Sequence, residues 1–133
     1  MSEENVEIVR ALAARWNAGV RSVPTDLFDP AVELETPISS VAGKPYRGYA
    51  GVEEWIREND EQFSVWRISL PDVREADGKV IAIGSVHARG RASGIEVDIP
   101  AALIAELGTD ARITRARVYP DVNEALKAVG LEE

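Results

Sequence analysis

Residues 64–119 hold four stretches rich in β-branched residues, SVWRISLPDVREA, KVIAIGSVHARGR, IEVDIPAALIAEL and ARITRARVY. Only short turn signals separate them: Asp77-Gly78, Ala92-Ser93-Gly94 and Gly108-Thr109-Asp110. Each stretch suits a pleated, half-buried surface. Strands joined by such short turns pair antiparallel with their neighbours, because a parallel crossover needs a dozen residues or more. Gly84 and Pro100 fall inside two of the strands, where such residues mark bulges or bends, so the sheet is expected to curl.

The first half of the chain has helical periodicity. Over residues 2–18, Val6, Val9, Leu12, Ala13 and Trp16 form one apolar stripe, with Ser2 as the expected N-cap, Glu3 and Glu4 favourable to the helix dipole, and Gly19 as the stop. SVPTDLFDP allows at most a short helical turn, and AVELETP alternates Val32 and Leu34 with Glu33 and Glu35 as a strand that Pro37 ends. GVEEWIRENDEQF then sets Val52, Trp55, Ile56, Asn59 and Phe63 at helical spacing. At the end, PDVNEALKAVG carries a capping-box-like pair, Asp121 and Glu124, with Ala125, Leu126 and Val129 on its apolar side and Gly130 suited to the C-terminal cap. Helices followed by a bent antiparallel sheet make an α+β layout, with the helices expected on one face. A strongly curved antiparallel sheet wrapped by N-terminal helices forms a cone with an interior pocket.

At 133 residues the chain has the size of one domain and can bury a sufficient core without staples. It has no cysteine, which removes disulfides and thiolate chemistry. A formal charge of −8 argues against nucleic acid, and no apolar run reaches the ~18 residues of a membrane span. The acidic start MSEEN is unlike a signal peptide, so a cytoplasmic location is expected. One histidine and no cysteine leave no metal-ligand cluster, and no cofactor is implied.

The element order, together with ALAARWNAG, FDPAVELETP, YRGYAGVEEW and ITRARVYPDVNEAL, resembles the nuclear transport factor 2-like superfamily, specifically its SnoaL-like and ketosteroid-isomerase-like branch. The resemblance spans nearly the whole chain and implies a single SnoaL-like domain over 1–133, of the cystatin-like α+β roll type. The isomerases use a carboxylate near the end of the first strand as base, and the position that matches is Glu35. Their first-helix tyrosine is matched by Trp16, whose indole can only donate. Their second oxyanion donor, a protonated aspartate, falls on Ala102 or Leu103 and is missing. The last-strand carboxylate of the epoxide hydrolase branch is matched by Val118, so that chemistry is not expected. Polyketide cyclases of this type use a histidine and an aspartate, for which the chain offers His87 and Asp98.

The resemblance thus nominates Glu35 and His87 as catalytic candidates, and Trp16, Tyr46, Trp55, Phe63, Asp98 and Tyr119 as ligand contacts. Each has a structural alternative. Glu33 and Glu35 share one side of the first strand and fit the solvated face of an edge strand. Arg89, Arg91, Glu96 and Asp98 flank one hairpin turn and fit cross-strand ion pairs. In PYRGYAGVEEW, Gly48 and Gly51 fit a tight backbone path into the helix, with Tyr46 and Arg47 at the mouth of the pocket.

Two functions fit. One is a cofactor-free isomerase or cyclase that moves a proton on an apolar carbonyl or polyketide-like substrate. The other is a non-catalytic ligand-binding or structural dimer of the same fold. A homodimer is expected in either case, because an open sheet face bearing apolar and arginine side chains needs covering.

Overall fold

The computed structural model describes residues 2–36, 44–76, 78–128 and 130. Its elements are α1 (Ser2–Asn17), β1 (Phe28–Glu35), β2 (Tyr46–Arg47), α2 (Gly48–Gln62), β3 (Phe63–Ala76), β4 (Lys79–Gly90), β5 (Glu96–Leu107), β6 (Ile113–Tyr119) and α3 (Val122–Ala128). The expected roles of Pro37, Asp77 and Val129, and of the Ser2 side chain as a cap, lie outside the described residues.

The strands form one six-stranded sheet in the order β2-β1-β6-β5-β4-β3. The run β3 to β6 is antiparallel throughout, as the short turns require. β1 instead pairs parallel with β6, Leu34 lying opposite Ala116. It is not an edge strand over its last turn, because Tyr46 and Arg47, read from sequence as loop, pair with Leu34 and Glu33. β1 also starts earlier than its alternation suggests, running through Pro30 with an irregular register between Phe28 and Glu33.

The register of the sheet shifts in several places, and the widest break in the β3·β4 hairpin lies in its middle. Ser69 pairs with Ser85 and Asp72 with Ile83, so Leu70 and Pro71 of β3 face the single residue Gly84 of β4. That is a bulge, and it bends and twists the strand that carries it. A Cβ on Gly84 would stand 1.8 Å from the Ser69 carbonyl oxygen, so only glycine lets the bulged strand come this close. Pro100 breaks no pairing and lies opposite Ser85 in an uninterrupted β4·β5 ladder. Expected as a second bend, it is an ordinary ladder position.

The bent sheet has two faces of different character. Val80, Ala82, Ala88, Ala105, Ala116 and Leu34 point to the inner face, where Val9 and Leu12 of α1 and Val52 and Ile56 of α2 cover them. Ile81, Ala102 and Ile104 point outward and pack under Ala125 of α3, with Ile83, Tyr119, Val122 and Leu126 around them. α3 therefore sits on the opposite face from α1 and α2. It starts right after β6, where the Asp121 carboxylate accepts from the backbone N–H of Asn123 at 2.8 Å and of Glu124 at 3.4 Å. Much of the outer apolar surface expected to seek a partner is thus covered within the chain. The sheet does not close, since β2 and β3 are its two unpaired ends.

The glycines before α2 also have a structural use. A Cβ on Gly51 would lie 2.8 Å from the Tyr46 carbonyl carbon, so the helix can fold back over β2 only with glycine there.

Replacing Gly84 by alanine should cost about 1–3 kcal/mol of folding free energy, the usual penalty of forced overpacking. Urea unfolding measures it, and an unchanged midpoint would show that the bulge is not held by this contact.

Candidate functional site: an aromatic cavity with one ionisable pair

Between the inner face of the sheet and helices α1 and α2 lies a cavity of about 360 Å³. Its floor is apolar: Leu34, Leu103, Ala116 and Val118 from three adjacent strands. All three tryptophans of the chain form its wall together with Phe63. Ring centroids of Trp16 and Trp55 are 4.9 Å apart, those of Trp55 and Trp66 5.5 Å, and those of Trp16 and Trp66 5.9 Å, all in tilted or edge-to-face arrangements. The Trp66 indole N–H donates to Asp60 Oδ1 at 3.1 Å, and the Arg21 guanidinium lies 4.6 Å from the ring centre while binding the same carboxylate. The Trp16 indole nitrogen is buried and has no hydrogen-bond partner among the described residues.

The polar lining comes mostly from one stripe of α2. Trp55, Glu58, Asn59 and Gln62 lie at helical spacing and all reach the cavity. Among the described lining residues, Glu58 and Tyr46 are the only ionisable ones. The Tyr46 hydroxyl donates to Glu58 Oε1 at 2.5 Å. Burial, and then the bond to the Glu58 carboxylate, push the Tyr46 phenol up to about 12. At neutral pH the phenol therefore keeps its proton and holds Glu58 in place.

Of the residues nominated from sequence, Trp16, Tyr46, Trp55 and Phe63 line this cavity. Glu35 does not. Its neighbour Leu34 faces inward, so Glu35 points to the outer face, where Arg115 Nη2 lies 2.9 Å and Arg117 Nε 3.2 Å away. The hydrogen bond from Arg115 holds its carboxyl below the ordinary range. A carboxylate on the far side of the sheet, neutralised by two arginines, is not the pocket base expected of it.

His87 and Asp98 do meet, as direct cross-strand partners, with Nδ1 2.9 Å from Asp98 Oδ1 and Nε2 3.2 Å from Glu96 Oε1. They meet on the outer face, because Val86 and Ala88 take the inward positions of β4. Tyr119 also faces outward, under α3. The residues missed by sequence reasoning are Glu58 and Trp66. Both carried a usable signal, Glu58 by standing three residues after Trp55 on a helix and Trp66 by its alternation within β3.

A second depression, lined by Arg21, Arg57, Asp60, Glu61 and Arg91, opens broadly to solvent. Arg21 is tied to Asp60 and Arg91 to backbone carbonyls of Asp60 and Phe63, so these side chains serve the fold. No group of His, Asp and Glu with metal-binding geometry occurs among the described residues.

Two titrations check the electrostatics. His87 is the only histidine, so its NMR titration is unambiguous. Its pKa should lie above 6.5, held up first by Asp98 and then by Glu96, and Asp98→Asn should lower it. The stabilisation from this cluster is present in full below the unfolded value and fades as pH rises through the folded one. In a spectrophotometric titration, Tyr46 should ionise near 12, and Glu58→Gln should bring it down. An unmoved Tyr46 would contradict the pairing.

The family model for the SnoaL-like domain matches residues 9–116. Among solved structures, a protein of the nuclear transport factor 2-like fold from Burkholderia pseudomallei, of unknown function, superposes with a TM-score of 0.78 at 15% identity, covering 95% of this chain and 97% of its own. A candidate SnoaL-like polyketide cyclase from Jannaschia gives 0.77 at 18% identity, with coverages of 99% and 95%. A hypothetical protein of ketosteroid isomerase-like fold from Catenulispora acidiphila, solved with trimethylamine, gives 0.71 at 18% identity, with coverages of 94% and 93%. Identities this low speak for the fold alone. No curated protein shows a significant sequence match. Match and architecture agree: the chain belongs to the SnoaL-like domain family.

Proposed function

We propose that the chain binds a small, largely apolar molecule in the aromatic cavity and moves a proton on it without a cofactor, as an isomerase or cyclase of a carbonyl or polyketide-like compound. The observation that carries this reading is the isolation of Glu58 and Tyr46 as the only ionisable groups among the described lining of a largely apolar cavity. The volume of about 360 Å³ lies within the ~300–1,000 Å³ typical of small-molecule sites. Three indoles offer stacking surface to a flat molecule. Glu58 replaces Glu35 and His87 as the group that takes a proton. Tyr46 keeps its own proton at neutral pH, and once Glu58 has taken the substrate's proton the phenol O–H turns from Glu58 to the oxygen that becomes negative.

The alternative, a non-catalytic binder of the same fold, draws on a different observation: the Glu58 carboxylate is already engaged by Tyr46, and the site lacks the second acidic donor of the isomerases at Ala102 and Leu103. In either case we infer a homodimer acting in the cytoplasm, in keeping with a cysteine-free chain.

Incubation with a panel of apolar carbonyl compounds, followed by mass spectrometry of bound and converted species, separates the readings. Proton transfer predicts conversion that Glu58→Gln lowers about 10²–10⁴-fold, the usual worth of a positioned general base, while Glu35→Gln and His87→Ala leave it unchanged. Ala101→Trp should abolish binding by filling the cavity. Conversion unaffected by Glu58→Gln would refute the assignment, and binding without conversion would favour the alternative.

A further inference from the structure

The described residues leave part of one strand uncovered. β6 pairs with β5 only from Ala102, opposite Tyr119, to Leu107. Before Ala102, β5 is bonded to β4 on one side and to nothing on the other, and residues 96–100 are all exposed. Among the described residues, three of the four exposed large hydrophobic side chains cluster there: Ile95 at 64%, Val97 at 40% and Ile99 at 46%. They share the inner face of the strand, while Glu96 and Asp98 share the outer face with His87.

The direction of the free backbone groups follows from the ladder. The Gly90 N–H donates to the Ile95 carbonyl at 2.9 Å, so Gly90 and Ile95 are a hydrogen-bonded pair. The β4·β5 register then runs without a break, and hydrogen-bonded pairs alternate along it. Val97 and Ile99 therefore bond towards β4, whereas Glu96, Asp98 and Pro100 turn their backbone outward. Proline, with no N–H to offer, falls on the open side, where its lack harms no internal bond.

The exposed string Ile95-Glu96-Val97-Asp98-Ile99 reads nearly the same in both directions. Laid antiparallel on a second copy about a two-fold axis through Val97, it sets Val97 on Val97 and Ile95 on Ile99, with the outward N–H and C=O groups of Glu96 and Asp98 meeting their counterparts. Side-chain face and backbone direction agree in this register, and of the registers in which they do, this one pairs the whole string Ile95–Ile99 with itself. A symmetric interface is self-complementary in just this way. The pairing does place Glu96 beside Asp98 of the second copy, but each carboxylate arrives already bonded to His87 of its own chain.

We propose that the homodimer forms by antiparallel pairing of the β5 edges over Ile95–Ile99, with Val97 on the two-fold axis. This specifies the surface for the dimer inferred above and rests on that reading. Charged residues and Pro100 in a strand edge also serve to deter pairing. An edge protected only for that purpose has no need of three exposed aliphatic residues on its other face.

The absence of cysteine from the chain supplies a clean test. Val97→Cys, oxidised mildly, should convert fully to a disulfide-linked dimer, since a non-hydrogen-bonded pair at the axis holds its Cα atoms at about 4.5 Å, within disulfide range. Val20→Cys, at an exposed position away from this edge, should not. Val97→Lys and Asp98→Pro should both shift the sedimenting species from dimer to monomer with unchanged circular dichroism. If Asp98→Pro fails to fold, the crosslink and Val97→Lys still decide. Wild-type protein that sediments as monomer at high concentration would overturn both the dimer and this interface. A dimer that neither crosslinks through Val97→Cys nor dissociates in Val97→Lys would keep the dimer and overturn the interface.

Discussion

The bend that hollows the inner face depends on the close approach of Ser69 to Gly84. Where two residues of β3 oppose one of β4, the long hairpin bends, and the inner face becomes concave. The helices cannot follow a concave sheet closely along its whole length. They touch it through small and β-branched residues such as Val80, Ala82 and Ala88, and elsewhere they leave a hollow that the tryptophans line without filling it. Without the bulge a sheet of this size twists but curves less, and α1 and α2 would pack down on it.

The same bend makes the strand faces unequal. The inner face takes apolar residues and the α2 stripe. The outer face carries an apolar part under α3 and charged rows beside it: Glu35 with Arg115 and Arg117, and His87 with Asp98 and Glu96. These rows are exposed to solvent in whole or in part, so water and salt screen each pair and its share in stability is small. Their effect on function is indirect. They keep charges out of the cavity, where Glu58 and Tyr46 stand apart in an apolar wall.

Much of this was legible in the residues. Turn spacing specified the antiparallel run β3 to β6, helical period specified α1 and α2, and the order of elements pointed to the fold. What could not be read was parity. A strand alternates its faces residue by residue, so an error of one position turns a pocket base into an outer ion pair. Glu35 shows this: its charge and place at the strand end resemble an isomerase base, yet Leu34 beside it holds the inward position. His87 and Asp98 could be named as possible partners, but neither their register nor their face could be read, and they pair on the outer face. The parallel pairing of β1 with β6 joins segments eighty residues apart, and no local pattern encodes it. Glu58 was missed because acidic residues on a helix usually face solvent.

The most direct test of the central claim is whether the hollow admits a ligand. All three tryptophans line it, so every indole N–H resonance of the protein is a reporter. In an NMR titration with naphthoquinone, a flat apolar carbonyl compound, the indole signals of Trp16, Trp55 and Trp66 should shift together and saturate, while the His87 ring signals stay in place. Indole signals that never move, or shifts confined to residues of the outer face, would contradict the account.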